Sequence, residues 1–382
     1  MNLLALSFDH ALLDPQSGAH SESRRRQLAY AQELSRRVPG SCIRIAVRSR
    51  PGLKAQPLPI AEGLELFSTP SSTVGFIAMA YRYGRSLCSQ RGLDLVTSQS
   101  PFVDGLVACL LQRRCEVKWL AQLHLSTLDN PYWLQERAAN RLRAWFGRRM
   151  LQYADAVRVV SRSASSWLQQ QLHIPEDRIF VIPVGTGLSA DNSLGPPAQG
   201  SGNTVLFVGR LSPEKGLFTL LHAFARIKAV NSAARLCVVG DGPLKAGLKE
   251  LSESLQLQDR VQFQGWIPYE QLPELYESAD VVVVPSLHES YGRVIVEAMS
   301  FGRPVVATDT QGARELVQDG RTGRIVPVRD VAALAEAISE LLGHPQLATE
   351  MGQAARAYVQ QMLDPRALCA AQVEMWLKVA AG

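Results

Sequence analysis

Short apolar, β-branched segments recur along the chain, each followed by a longer stretch with helical spacing or by a turn. In the first half they are residues 3–8, 43–47, 93–97, 117–124, 157–161 and 178–183. In the second half they are residues 205–208, 235–239, 261–264, 281–285, 305–308 and 324–326. This alternation predicts an α/β protein with parallel sheets and helical crossovers. The run of four valines from Val281 suits a strand that is covered on both faces.

A segment rich in Gly, Pro and Ser separates the two series, and we predict that it is a linker over 188–203. The predicted first domain is 1–187 and the second is 204–362. Residues 363–382 carry Leu368, Val373, Trp376 and Leu377 at helix-compatible spacing. They are expected to form a helix packed on the body of the protein, with a crossing back to the first domain as one alternative.

Composition and charge narrow the class of protein. With 382 residues, 46% of them hydrophobic and 20% charged, the chain is long enough for two domains with their own cores and is not a disordered tail or a coiled coil. Residues 1–187 hold 23 basic and 14 acidic residues, against 17 and 21 in the rest. The basic half is expected to meet something anionic, such as a phospholipid surface, a phosphorylated substrate or nucleic acid.

Six scattered cysteines predict no disulfide framework and no zinc site, and we interpret them as buried thiols in a reducing cytoplasm. The first apolar run lacks a positive flank and is broken by Asp9, so it predicts a β-strand and not a signal peptide. No stretch reaches the ~18 apolar residues of a membrane span. The expected location is therefore cytoplasmic, with the inner face of the cytoplasmic membrane as the place of any peripheral contact.

The first candidate binding motif follows the strand at 205–208, where Gly209-Arg210 and Lys215-Gly216 flank a turn. Ligands of open α/β sheets sit at the carboxyl ends of strands, and two cations there suit a diphosphate. Taken alone, the motif is equally compatible with a salt-bridged surface turn.

The second candidate motif follows the strand at 281–285. Gly292 permits a close backbone approach, and a helix beginning there would direct free N–H groups and its positive dipole end at a phosphate. Glu289 and Glu297 stand eight residues apart, so they share no helical face unless Glu289 precedes the helix. Glu289 would then contact one part of a ligand and Glu297 another. The structural alternative for Glu289 is a favourable charge at a helix N-terminus.

These two motifs form an ordered series with Gly240-Asp241-Gly242, Gly302-Arg303-Pro304, Gly312 and Glu315. The series resembles the C-terminal domain of retaining glycosyltransferases of the GT-B fold, in the large family four, glycosyl transferases group 1, with its E-x7-E motif. The resemblance implies two Rossmann-like, doubly wound parallel-sheet domains that face a cleft. It also implies a nucleoside diphosphate sugar donor, bound mainly by the second domain.

The resemblance assigns roles to particular residues of this chain. Arg210 and Lys215 would hold the diphosphate, Glu297 the ribose hydroxyls and Glu289 the transferred sugar. Backbone amides of Gly292, Arg293 and Val294 would contact the sugar and phosphates. The base would lie against Gly265, Trp266 and Ile267.

In the first half the resemblance implies two further site residues. Gly18 stands where the family has a glycine-rich loop that reaches the donor phosphates, although the usual pair of glycines is reduced here to Ser17-Gly18. His124 ends a predicted strand and matches the family's histidine near the anomeric centre, which would position the sugar. A lone histidine at a strand end is more often structural.

No cofactor is expected. Residues 243–247 do not complete the G-x-G-x-x-G that would indicate NAD binding. The chain contains no Asp-x-Asp, the usual metal anchor of the other large glycosyltransferase fold, so no metal is predicted and Arg210, Lys215 and the helix end would neutralise the leaving group.

The expected reaction moves a sugar from a nucleoside diphosphate to an acceptor hydroxyl with retention of configuration. The resemblance to the family implies that the leaving diphosphate takes the proton of the acceptor hydroxyl. A saccharide or lipid-linked saccharide of the cell surface is the expected acceptor, in polysaccharide or glycolipid synthesis. Two alternatives stay open: a non-catalytic nucleotide-sugar scaffold or sensor, and a related two-lobed epimerase or phosphorylase.

Arginine clusters in the first half suggest the surface that meets an anion. They are Arg24–Arg26, Arg36–Arg37 and the series Arg141, Arg143, Arg148 and Arg149, interleaved with Leu28, Leu34, Trp145 and Phe146. Such amphipathic stretches suit an anionic bilayer, and they suit solvated helix faces equally well. No pattern of aromatic residues or helix-turn-helix supports nucleic-acid binding.

Overall fold

The computed structural model describes residues 1–13, 22–49, 56–90, 92–123, 128–185 and 203–382. The chain divides into two compact units. The first comprises Met1–Val184 together with Pro365–Gly382, and the second comprises Gly185–Asp364. Most of the predicted linker lies outside the described residues.

The first unit is an α/β sandwich on a sheet of eight described strands. They are β1 Asn2–Ser7, β2 Cys42–Arg48, β3 Pro57–Ala61, β4 Leu64–Thr69, β5 Leu95–Ser98, β6 Lys118–Leu123, β7 Ala156–Val159 and β8 Ile179–Val181. Their order in the sheet is β3-β4-β2-β1-β5-β6-β7-β8. Its helices are α1 Glu22–Arg37, α2 Thr73–Gln90, α3 Val103–Cys115, α4 Pro131–Glu136, α5 Ala138–Leu151 and α6 Arg162–Leu172, with α14 Pro365–Ala381 from the end of the chain.

One edge of this sheet departs from the predicted parallel pattern. Strands β3 and β4, which the apolar pattern did not predict, form an antiparallel hairpin. The turn is possible because Gly63 adopts a left-handed φ of 76°. β3 contains Pro57 and Pro59, which lack N–H donors, and an edge strand tolerates them.

The C-terminal helix α14 packs on the first unit. Val373, Met375, Trp376 and Val379 are buried in a cluster with residues of β1, β2 and β4. The indole of Trp376 lies edge-on against the ring of Tyr30 in α1, with ring centroids 5.3 Å apart. The last helix of the chain thus completes a core that begins with its first strand.

The second unit has a sheet of six described strands, all parallel. They are β9 Thr204–Val208, β10 Arg235–Val239, β11 Val261–Gly265, β12 Val281–Val284, β13 Val305–Thr308 and β14 Gly323–Val326, in the order β11-β10-β9-β12-β13-β14. Its helices are α7 Leu217–Val230, α8 Lys245–Ser254, α9 Leu272–Ser278, α10 Arg293–Ser300, α11 Gln311–Leu316, α12 Val331–Gly343 and α13 Pro345–Met362. All six strands predicted in this half are confirmed, and Val281–Val284 is buried along its whole length.

Each sheet has one point where the strand order reverses. In the first unit the chain winds outward from β1 to β2 and then resumes on the other side of β1 with β5. In the second unit the reversal lies between β9 and β12. The crevice outside the carboxyl ends of the two strands at such a point is where open α/β sheets bind ligands.

Two further observations concern the class of protein. No helix within the described ranges is long and apolar enough to cross a membrane. All six cysteines are free thiols, but only Cys109 is buried and the other five are partly exposed, so the prediction of uniformly buried thiols was wrong.

Candidate functional site

The second unit brings two of its loops together at the carboxyl ends of β9 and β12. The loop after β9 contains a 3-10 turn over Pro213–Lys215 and ends at Gly216, whose φ is 66°. A Cβ on Gly216 would lie only 1.9 Å from the carbonyl oxygen of Pro285, which follows β12. The amide of Leu287 donates to the carbonyl of Glu214 at 2.7 Å. Glycine is required here because the two backbones are in direct contact.

This contact unites two residues that the sequence predicts for donor binding. Lys215 Nζ lies 2.6 Å from Glu289 Oε2, although 74 residues separate them. The side chains are 24% and 17% exposed, so both remain open to a ligand. The carbonyl of Glu289 also accepts a hydrogen bond of 2.8 Å from the amide of Gly312. Glu289 is therefore fixed at its carboxylate and at its backbone.

Glu297, the second glutamate of the E-x7-E motif, lies one helical turn inside α10 and is buried. Its Oε2 accepts a hydrogen bond of 2.7 Å from the hydroxyl of Tyr276, and its Oε1 accepts one of 2.8 Å from Nε of Arg293. Burial, and then the charge of Glu297, raise the pKa of the Tyr276 phenol well above its ordinary value. The phenol therefore stays protonated and donates to the carboxylate.

Sequence reasoning missed Tyr276. It lies in α9, where its spacing from Leu272 is that of an apolar helix face, and it stacks on Phe301. This pattern indicates a core residue, and nothing in the sequence shows that the hydroxyl reaches Glu297. The Tyr276 hydroxyl therefore binds the Glu297 carboxylate from the interior of the domain and orients it.

The N-terminus of α10 points its backbone donors toward the same edge of the sheet. Gly292 is the N-cap residue with a left-handed φ of 90°, and no side chain caps the helix. The amides of Ile295 and Val296 both bond to the carbonyl of Gly292. The amide of Val294 has no acceptor within the described part of the chain. This open donor and the positive end of the helix dipole suit a phosphate.

The remaining predicted donor residues flank this site. Arg210 lies two residues after the end of β9 and is exposed, whereas Gly265 ends β11 with a φ of 75°. β11 is two strands from β9, or about 10 Å at the usual strand spacing. Trp266 is 73% exposed and presents its indole to solvent, and Ile267 is half-buried.

Not every predicted site residue can be placed. Gly18 and His124 lie outside the described residues, so their roles stay predictions. Within the described ranges, no group of three or more His, Cys, Asp and Glu side chains is placed to hold a metal ion.

Comparison with known proteins identifies the family. The family described as Glycosyl transferases group 1 matches residues 195–358, and the Glycosyl transferase 4-like domain matches residues 24–185. A D-inositol 3-phosphate glycosyltransferase of Nocardia farcinica is 32% identical over 320 residues, which are 78% of this chain and 69% of that protein. The chain belongs to the glycosyl transferases of group 1.

Other group 1 relatives and solved structures agree. The alpha-D-kanosaminyltransferase of Streptomyces kanamyceticus is 28% identical over 258 residues, which are 64% of this chain and 66% of that protein. The alignments with these two relatives thus span about two thirds of each relative's length. A sucrose-phosphate synthase from Thermosynechococcus elongatus superposes with a TM-score of 0.78 at 23% identity, covering 100% of this chain and 99% of that chain.

The Anabaena protein HepE, solved in complex with UDP and glucose, superposes with a TM-score of 0.71 at 21% identity, covering 99% of each chain. These structural similarities show the fold. The predicted GT-B architecture, with its two parallel-sheet α/β domains, is confirmed.

Proposed function

We propose that this group 1 glycosyltransferase moves a sugar from a nucleoside diphosphate to an acceptor hydroxyl, with retention of configuration and without a metal ion. The observation that carries the proposal is the Lys215–Glu289 pair, held at the β9–β12 reversal of strand order beside the N-terminus of α10. The UDP and glucose bound in the structure of HepE, which has the same fold, support a nucleotide-sugar donor.

In this proposal the donor breaks the ion pair between Lys215 and Glu289. A diphosphate oxygen competes with the carboxylate for the Lys215 ammonium, and Arg210 and the α10 amides bind the other phosphate oxygens. Glu289 then accepts hydrogen bonds from hydroxyls of the sugar. Glu297 accepts hydrogen bonds from the ribose, and the base lies against Gly265, Trp266 and Ile267.

The transfer step uses the leaving group as the base. The bond between the anomeric carbon and the diphosphate oxygen breaks, and the acceptor oxygen bonds to that carbon from the same face. The acceptor proton passes to the departing phosphate oxygen. Lys215, Arg210 and the positive end of α10 stabilise the charge that develops on the diphosphate, which supplies the electrostatic contribution that a metal ion makes in other transferases.

The proposed acceptor is a saccharide or lipid-linked saccharide of the cell surface, reached at the inner face of the cytoplasmic membrane. The excess of basic over acidic residues in 1–187 supports an acceptor or a surface that is anionic.

Nucleotide binding tests the donor site directly. Thermal unfolding is measured with UDP, GDP and ADP, each with EDTA and with magnesium. A nucleotide at 100 times its dissociation constant stabilises the folded protein by about 2.7 kcal/mol. We expect one base to raise the unfolding temperature and the rise to survive EDTA. A rise that requires magnesium would contradict the metal-free site, and no rise with any base would contradict the proposed donor.

The variant Lys215→Met tests the residue that carries the proposal. We expect it to remove the nucleotide-dependent rise and to lower kcat/KM by about 10²–10³-fold while the protein stays folded. Lys228→Met is the matched control. Lys228, in the last turn of α7, forms an ion pair of 2.7 Å with Asp259, which lies two residues before β11 and so at the amino ends of the strands. Equal loss of activity in both variants would refute the assignment. NMR of the product's anomeric proton tests retention.

A further inference from the structure

Helices α3 and α5 leave an unusual face on the first unit, where exposed apolar side chains lie among arginines. Leu142 is 67% exposed and Trp145 is 64% exposed, although both are large apolar residues. Arg141 and Arg149 share their side of α5, because each is four residues from Trp145. The opposite side of α5 packs Ala144 and Leu151 into the core.

The face continues onto α3. The guanidinium of Arg113, near the end of α3, lies 4.9 Å from the ring centroid of Tyr153, just after α5. Arg149 lies 5.9 Å from the same centroid. We call the surface formed by Arg113, Arg141, Leu142, Trp145, Arg149 and Tyr153 the α3–α5 face.

The charge of the α3–α5 face has one sign. No Asp or Glu occurs between Arg137 and Tyr153, and the one acidic residue of α3, Asp104, is buried. Within the described ranges no carboxylate forms an ion pair with Arg113, Arg141 or Arg149. The nearest acids along the sequence are Glu116 and Glu136, which are exposed, and Asp155, which is partly exposed and forms an ion pair with Lys118.

Three arginines of the other clusters are bound within the first unit. Arg36 and Arg37 both bond to Glu33 on their own helix. Arg148 turns inward, where it donates to the carbonyl of Leu128 and lies over the ring of Trp167. These three arginines are therefore less available to an external anion than Arg141 and Arg149, which are exposed.

We infer that the α3–α5 face docks this protein on an anionic lipid bilayer. Exposed Trp and Leu on an arginine-bearing helix suit the boundary between headgroups and acyl chains, with the guanidinium groups on the lipid phosphates. A second copy of the chain fits poorly, because a two-fold contact would place the same arginines against each other. The inference rests on the proposed function in one respect: a lipid-linked acceptor would require the enzyme to act at a membrane.

Co-sedimentation of the full chain with vesicles tests the docking. We expect binding to vesicles of equal parts phosphatidylglycerol and phosphatidylcholine, no binding to phosphatidylcholine alone, and a loss of binding as salt rises. Each arginine near an anionic surface contributes about fivefold to partitioning, so Arg141→Glu/Arg149→Glu is expected to weaken binding more than about 25-fold. Trp145→Ser is expected to weaken it without any change of charge.

The control Arg235→Glu/Arg321→Glu makes the same charge change on exposed arginines of the second unit, and we expect it to bind vesicles as the parent protein does. Circular dichroism of every variant verifies folding. The inference is overturned if the parent protein binds neither kind of vesicle or both equally, if the Arg141/Arg149 variant binds normally, or if sedimentation equilibrium shows a dimer that Trp145→Ser dissociates.

The vesicle result and the donor result separate. Nucleotide-dependent thermal stabilisation is expected to be unchanged in the Arg141/Arg149 variant. If vesicle binding fails while the nucleotide still stabilises the protein, the docking inference falls and the proposed function stands. If the protein binds vesicles but no nucleotide stabilises it, the docking inference stands and the proposed donor is contradicted.

Discussion

Glu297 is a buried carboxylate that is stabilised by hydrogen bonds from two side chains. A carboxylate removed from water is costly unless hydrogen bonds satisfy it, and here one oxygen is bound by Tyr276 and the other by Arg293. The Tyr276 bond lies in the buried interior, whereas Arg293 is half exposed and also lies 4.8 Å from the ring centroid of Tyr269. Tyr276 is thus the partner that fixes the orientation of the carboxylate from inside the domain.

The variant Tyr276→Phe removes that hydroxyl and little else. We expect the free energy of unfolding to fall by about 1–3 kcal/mol, because one oxygen of a buried carboxylate loses its donor. Affinity for the ribonucleoside diphosphate is expected to fall as well, since the carboxylate that holds the ribose loses its orientation. Calorimetric titration measures the affinity, and urea unfolding measures the stability.

A nucleotide without ribose hydroxyls separates positioning from general damage. The parent protein and Tyr276→Phe are expected to bind the 2′,3′-dideoxy nucleoside diphosphate with similar, weak affinity, because neither can use Glu297 for it. An equal loss of affinity for the ribo and dideoxy forms would show that Tyr276 acts only through stability.

At the scale of elements, the loop between β9 and α7 determines whether the donor residues meet. Gly216 combines a left-handed φ with a backbone approach to Pro285 that leaves no room for a Cβ. The Lys215–Glu289 ion pair forms immediately beside this contact. The loop geometry, more than the ion pair itself, brings the two side chains together, since a partly exposed pair contributes only about 1 kcal/mol or less.

The variant Gly216→Ala is expected to separate the two loops. Strain at the positive φ and the clash with Pro285 together are expected to destabilise the protein by more than about 1 kcal/mol. The nucleotide-dependent rise in unfolding temperature is expected to shrink. Gly247→Ala is the control, because Gly247 lies in α8 with open space around its Cβ position. Alanine there is expected to stabilise the protein by about 0.4–1 kcal/mol and to leave nucleotide binding unchanged.

At the scale of the whole molecule, the chain returns to its first unit at its end. Helix α14 joins the core that β1 and α1 begin, so residues at opposite ends of the sequence depend on each other. Trp376 is the largest buried side chain of that helix, and its indole N–H has no hydrogen-bond partner within the described ranges. Its contribution is therefore one of packing.

Truncation of this side chain is expected to weaken one unit selectively. Trp376→Ala is expected to cost about 3–5 kcal/mol in the stability of the first unit. Calorimetry is expected to show a lowered transition for that unit, while nucleotide still raises the transition of the second. Trp376→Phe retains an aromatic ring against Tyr30 and removes an unpartnered donor, so its cost is expected to be smaller. A uniform lowering of both transitions would contradict this division of stability.

The sequence by itself determined the second unit almost completely. Its strands are short, mainly apolar and separated by helical spacing, so a local pattern was sufficient to predict them. The motif around Arg210, Lys215, Glu289 and Glu297 could be predicted because glycines and charged residues follow those strands directly. In the first unit the same method missed β3 and β4, because an edge strand with two prolines has no apolar run and its pairing depends on a turn at Gly63.

Tertiary structure alone decided which of these residues meet and which charges stay unpaired. The Lys215–Glu289 contact, the bond from Tyr276 to Glu297 and the packing of Trp376 on Tyr30 join positions that are 74, 21 and 346 residues apart. The arginine clusters look alike in sequence, yet one pairs with Glu33 and another remains exposed beside Trp145. The physical reason is that apolar periodicity reports burial along one element, whereas contact between elements depends on how the chain closes in three dimensions.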